Sequence, residues 1–287
     1  VAGEIETPGF WEEFRRRVKA VNPDAYILAE VWHERPDLLS GECFDALMNY
    51  QFLHAAVGFV CGSHLDRRVT GQHAELKRSV HRLDGPQLAA RLERLTTAYR
   101  PAATEVMFNL VDGHDTPRLR SMAGGDTDAV RLGVLLQMTF PGAPVVYYGD
   151  EIGLAGEIDP GCRGGFPWDE ATWDHALLAW FRDAIALRHA NPVLRAGEFR
   201  IAGAHEGAVA YLRATAEDAM LVALNAALAP VRLPVADVRL AGRTFTEVPL
   251  AGRRGLSAPL ALDGTGQASL ALPPRTGVVL RAEPPVP

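Results

Sequence analysis

Four apolar runs, each strand-sized and each closing on polar residues, constrain this chain more than anything else in it. They are AYILAEVW (25–32), CFDALMNY (43–50), TEVMFNLVD (104–112) and APVVYYGDE (143–151). Helical patterns stand around them. Phe10, Phe14, Val18 and Val21 recur at helical spacing, with Thr7-Pro8 suited to the N-cap and first turn. Further helical stretches run over 52–61, 86–99, 127–139 and 172–189. Strands alternating with helices predict parallel pairing, and the 143–151 run, apolar on both faces of its core, suits a buried parallel strand. The connections 62–85 and 149–171 are longer than such a fold needs, which marks them as functional.

From about residue 192 the texture changes. Helical periodicity gives way to AVAYLRA, AMLVALNA, VRLPV, ASLALP and GVVLRA, separated by turns rich in Gly, Pro, Ala and Asp. The expected division is a mixed α/β unit over 1–192 and a small antiparallel β unit over 193–287, ending in a frayed EPPVP tail.

Charge and composition remove several classes of function. With 29 Lys+Arg against 35 Asp+Glu, the net charge is −6, and the one basic triplet, Arg15–Arg17, shares its segment with Glu12 and Glu13. That is a solvated helix face and no footprint for nucleic acid. No apolar run reaches the roughly 18 residues of a membrane span. The 3 cysteines are far apart without a C-x-x-C pair, so neither a disulfide framework nor a cysteine zinc site is expected, and reduced thiols lean toward a cytoplasmic setting. There is no H-E-x-x-H, no P-loop and no G-x-S-x-G.

In a parallel β/α architecture chemistry gathers at the C-terminal ends of the strands. Those ends here hold Glu30, Trp32 and His33; Asn49 and Tyr50; Asn109, His114, Asp115 and Arg118; and Tyr148, Asp150 and Glu151. Carboxylates, amides and flat rings suit a sugar: rings for pyranose faces, amides, His and Arg for hydroxyls, paired carboxyls for glycosidic cleavage. Glu30, close to Trp32, has the setting of a general acid, although a strand-end Glu can equally cap a helix or pair with an arginine. Asp115, in DGHDTPRL, can equally be a helix N-cap. Asp150 and Glu151 suit pairing with Arg163 or another loop arginine.

ILAEVWH, FDALMNYQF, FNLVDGHDTPRL and FPGAPVVYYGDEIGLAG, in this order, resemble four consecutive regions of the α-amylase superfamily of glycoside hydrolases. EVWH and MNY are most similar to the branch of neopullulanase, cyclomaltodextrinase and maltogenic amylase. The resemblance implies a (β/α)8 TIM barrel of which strands 5–8 are present, followed by a C-terminal antiparallel β-sandwich. It implies retaining hydrolysis of α-1,4 and in some members α-1,6 glucosidic bonds in an α-glucan or maltooligosaccharide. Glu30 then matches the general acid/base, Asp115 the aspartate that binds and distorts the sugar, and His114 the histidine on its hydroxyls. Trp32, Met48 and Tyr50 fall where that branch lines the neighbouring subsites, with His33, Asn49, Asn109 and Arg118 beside them as further substrate-binding candidates. No catalytic cofactor is implied. Some relatives carry a structural calcium, but Asp159–Arg163 shows no calcium-ligand spacing.

One departure matters. The family's nucleophile is an Asp in a G-x-R-x-D motif, which this chain lacks. Its opening VAGEIETPGFWEEFR resembles the stretch that follows that Asp, so Val1 is expected to stand just past it, with strands 1 to 4 missing. Such a half barrel would be inactive alone, and would self-associate or pair with the other half through its open edges. A transglycosylase or isomerase of the same fold, and a non-catalytic carbohydrate-binding fragment, are the alternative readings.

Overall fold

The computed structural model describes residues 2–252 and 255–283. Val1 and the last four residues of the EPPVP tail lie outside them. Helix α1 (Phe10–Val21) has the predicted bounds, but its N-cap is Gly9 at φ 74°, so Thr7 does not cap it. The Arg15–Arg17 triplet is a charged helix face: Arg16 and Arg17 pair with Glu13, and Arg15 with Asp45.

The four apolar runs form a parallel series with far shorter ladders than their lengths suggest. These are β1 (Leu28–Ala29), β2 (Ala46–Leu47), β3 (Phe108–Asn109) and β4 (Ala143–Pro144). β1 pairs with β2 and β3 with β4, both parallel, and a parallel bridge from Met48 to Phe108 joins the two pairs. The result is an open, partial barrel wall in chain order. The rest of each run is spent otherwise: Tyr50 already opens a helix, and Thr104 closes one.

Between β1 and β2 the crossover is only a 3-10 turn, Pro36–Leu39. After β2 come α2 (Tyr50–Val60), α3 (Arg67–Thr70), α4 (Ala74–Ser79), α5 (Gly85–Thr97) and α6 (Pro101–Thr104). α7 (Leu119–Met122) and α8 (Thr127–Thr139) follow β3, and α9 (His175–Ala190) and α10 (Pro192–Ala196) follow β4. Asp84 opens α5 with a reciprocal capping box to Gln87.

The C-terminal part is antiparallel. It comprises β5 (Glu198–His205), β6 (Ala208–Ala214), β7 (Ala219–Asn225), β8 (Val231–Ala236), β9 (Thr244–Val248), β10 (Leu260–Ala261), β11 (Gln267–Leu272) and β12 (Thr276–Ala282). Six of these form one sheet in the order β10-β9-β12-β7-β6-β5, and β11 pairs with β8. One face of the larger sheet (Ala210, Leu212, Leu221, Leu280) packs on Leu233, Val235, Leu270 and Leu272 of the smaller one. Its other face (Val209, Tyr211, Val222, Val279) joins the core of α2, α8 and α9. That double burial is why β6 and β7 read as unbroken apolar runs, whereas β8 alternates buried and exposed. The contact is close: a Cβ at Gly85 would collide with the Ala208 carbonyl oxygen.

Two arginines pin this junction. Arg188 is buried and donates to the carbonyls of Met138, Phe140, Gly142 and Leu194. Arg213, equally buried, donates to those of Thr139, Leu194 and Gly197. Burial pulls both guanidinium pKa values down to about 10. Cys43, Cys61 and Cys162 are buried free thiols. Among the described residues no helix is long and apolar enough to cross a membrane.

Candidate functional site

Glu30, one residue past β1, and His114 and Asp115, past β3, come together although 84 residues separate Glu30 from His114 in the chain. His114 Nε2 lies 3.5 Å from Glu30 Oε1 and 3.2 Å from Asp115 Oδ2. One ligand atom from each of the three groups lies within 4.8 Å of the others. All three side chains are half-buried and so remain partly open to solvent.

The tight turn Gly113–Thr116 presents His114 and Asp115. Gly113 N–H donates to Thr116 Oγ1 at 2.9 Å, and Thr116 N–H back to Gly113 O at 3.3 Å. Asp115 is therefore no helix cap; the carboxylate that receives the Leu119 N–H at the start of α7 is Asp112, at 2.6 Å. The 149–171 connection reaches over this turn. Arg163 donates to His114 O at 2.9 Å and to Asp115 Oδ1 at 2.8 Å, and Asp159 stands 3.3 Å from the same guanidinium. Arg163 thus stands between the carboxylates of Asp115 and Asp159.

Three flat rings form one wall. Tyr50 stacks on Trp32 with centroids 3.8 Å apart and planes at 17°, and His73 stacks on Trp32 at 4.6 Å and 19°. Rings that close on the same face would overlap each other, so Tyr50 and His73 take opposite faces of the indole. With both stacks in place, rings of this chain cover the faces of the Trp32 indole. Burial, reinforced by the charges of Glu30 and Asp115, raises the Tyr50 pKa, so its hydroxyl stays protonated and can donate. His33 is exposed and Met48 half-buried, its backbone engaged in the bridge to Phe108.

Three sequence candidates are not available to a ligand. Asn49 caps α2 by accepting from Phe52 N–H at 3.1 Å and donates to Asn109 Oδ1 at 2.8 Å. Asn109 donates in turn to Pro141 O at 2.7 Å, and both amides are buried. Arg118 is completely buried; it donates to Tyr148 O at 2.7 Å and to Asp150 Oδ1 at 2.8 Å, with its guanidinium 4.4 Å from the Tyr147 ring centroid. Residue type alone marked all three as sugar ligands, yet the two amides and one nitrogen of the Arg118 guanidinium are engaged in holding β2, β3, β4 and the loops after them together. The pairing of Asp150 with a loop arginine does occur, with Arg118 in place of Arg163.

Asp112 and Asp150 are both buried and close enough to act on each other, and burial favours a proton on one of them. Burial raises both pKa values, and Asp112's charge adds to the rise at Asp150 against the pull of Arg118. A carboxyl whose folded pKa is raised contributes stability below its unfolded value and loses it as pH climbs through the folded value. The contribution of this pair to the stability of the fold is therefore expected to fall as pH rises above the ordinary 3.8 of an aspartate. Asp150→Asn, which mimics the protonated form, should flatten that fall. Denaturant midpoints at about pH 5 and about pH 8 check it; equal slopes for the two proteins would refute the shared proton.

His73 and Arg163 are the neighbours whose roles residue pattern did not reveal. Both lie on the two long connections singled out for their length. Neither belongs to a periodic segment, so the length of those connections is the signal the two share.

Residues 4–185 match the family profile described as "Alpha amylase, catalytic domain". A cyclomaltodextrinase from a Bacillus species is 42% identical over 228 residues, covering 78% of this chain and 37% of its own length. Neopullulanase 2 of Thermoactinomyces vulgaris is 38% identical, covering 78% and 36%. The solved debranching enzyme of Nostoc punctiforme superimposes with a TM-score of 0.89 at 36% identity, over 98% of this chain and 56% of that one. The chain thus spans little more than a third of these curated relatives and about half of that solved structure.

Proposed function

Because the chain belongs to the α-amylase family of glycoside hydrolases, we propose that it supplies the acid/base half of a retaining α-glucan hydrolase acting on α-1,4 and α-1,6 glucosidic bonds. The observation that carries the reading is the cluster of Glu30, His114 and Asp115 at the ends of parallel strands. In this reading β1 to β4 are strands 5–8 of the barrel, residues 1–192 its C-terminal half and residues 193–287 the accompanying β-sandwich. Supporting it are the parallel order of the four strands and the antiparallel sheets that follow.

Glu30 protonates the leaving glycosidic oxygen and later takes a proton from the incoming water, the double role of the acid/base in retention. Asp115 accepts hydrogen bonds from hydroxyls of the sugar at the cleaved bond, with Arg163 holding its other oxygen. Arg163 also holds the Asp115 carboxyl in place, which suits a binding carboxylate. His114, between the two carboxyls, donates to the same sugar. Tyr50 supplies a protonated hydroxyl and Trp32 an edge to the adjoining unit.

The covalent step needs a second carboxylate about 5–5.5 Å from the acid, on the other side of the bond. The chain has no G-x-R-x-D motif, and among the described residues the one other carboxylate of the cluster is Asp115. We therefore assign these residues binding and proton transfer, with attack on the anomeric carbon left to a group outside the described cluster. A cytoplasmic setting fits the buried free thiols, and an open barrel edge fits association with a second barrel half or a second copy. Titration of the chain with acarbose, comparing Glu30→Gln and Asp115→Asn with the parent, tests the reading: both substitutions should weaken binding.

A further inference from the structure

His73 stands on the 62–85 connection, as the N-cap residue of α4, and its ring lies nearly flat on Trp32. The imidazole is not held there by hydrogen bonds. Its Nδ1 is buried without a partner, an arrangement that costs free energy and that stacking must offset. The segment is tethered from the other long connection. Arg68 and Gln72 both donate to Glu157, the former through two bonds, and Ile158 N–H donates to Gln72 Oε1 at 3.3 Å. The loop that carries His73 and the loop that carries Arg163 are thus tied to each other. Asp115 and Glu75 are the charged groups that act on His73, and burial outweighs both and lowers its pKa, so the ring is neutral at pH 7 and stacks as an aromatic.

We propose that His73 is a specificity-determining residue: its ring occupies the outer face of Trp32, where a pyranose would otherwise stack, and restricts that unit of the substrate to the indole edge. The proposal rests on the glucan reading of the site. It differs from a purely structural role because the ring, and not the polarity, of His73 carries it. His73→Phe should keep the cover, and His73→Ala should remove it and expose an indole face.

The test uses the full chain, its Trp32→Phe variant to isolate the Trp32 emission, and the two His73 variants, each first checked for an unchanged thermal midpoint. The indole exposed in His73→Ala should be quenched by acrylamide severalfold more strongly than in the parent. Maltotriose should bind that variant about tenfold tighter, the size of one ring-on-ring stack. His73→Phe should match the parent in both. Unchanged quenching in His73→Ala, a gain in quenching with no gain in affinity, or a His73→Phe that behaves like His73→Ala would each overturn the proposal. Failure of maltotriose to bind any of the proteins would sink the glucan reading instead; the cover would then stand or fall on acrylamide quenching alone.

Discussion

The chain alone is expected to leave a chromogenic α-maltoside intact. Retaining cleavage splits one hard displacement into two easier ones through a covalent glycosyl intermediate, and a site without the attacking carboxylate loses that route entirely. Where a nucleophile has been removed from an enzyme that works this way, rates drop by about 10^6, which is about 8 kcal/mol of barrier. Glu30 cannot compensate, because a proton donor on the leaving oxygen does not form a bond to carbon. Asp115 is the carboxylate to consider, since it lies within 4.8 Å of the Glu30–His114 pair. However, one of its oxygens is taken by Arg163 at 2.8 Å and the other faces His114 at 3.2 Å. Release of nitrophenol that vanishes in Glu30→Gln would show that the cluster is self-sufficient and would reverse this assignment.

The second large effect concerns the seam between helices and sheet. Arg213→Met keeps the apolar stem of the side chain but strips the Thr139 and Gly197 carbonyls of their donor, while Leu194 O keeps Arg188 at 3.2 Å. A buried polar group left unpaired costs about 1–3 kcal/mol, and relief from burying a cation offsets part of the loss. A net destabilisation of about 3 kcal/mol is expected, or about 6–12 °C in Tm for a chain of this size. Thermal denaturation followed by circular dichroism reads it. A shift under about 2 °C would mean that the carbonyls find other donors and that the pair of buried arginines does not hold the seam.

The site was legible in the sequence where chemistry and chain direction coincide. Glu30 and the His114-Asp115 pair follow directly on apolar runs that became parallel strands, and strand ends converge whatever the loop lengths between them. Burial was not legible. Asn49, Asn109 and Arg118 sit at the same strand ends with equally suitable polar groups, and only the packing shows that each is buried against a neighbouring amide, carbonyl or carboxylate. Trp32 is a related case: an aromatic beside a carboxyl suggests a sugar platform, and the covering ring comes from a loop 41 residues away. In the β part, AVAYLRA emerged with its predicted bounds, because a strand buried on both faces leaves an unbroken apolar run. EFRIAGAH, now β5, escaped notice because charged residues and a glycine interrupt it at the sheet edge.

Acarbose titration by calorimetry tests the central claim most directly, because its nitrogen stands where the glycosidic oxygen would meet the acid. If Glu30 is the acid/base and Asp115 the sugar-binding carboxylate, the chain binds acarbose. Glu30→Gln and Asp115→Asn should then each weaken binding about 10–100-fold, the worth of one charge-assisted hydrogen bond. Binding that both variants retain at parental strength, or its absence from the parent chain, would contradict the account.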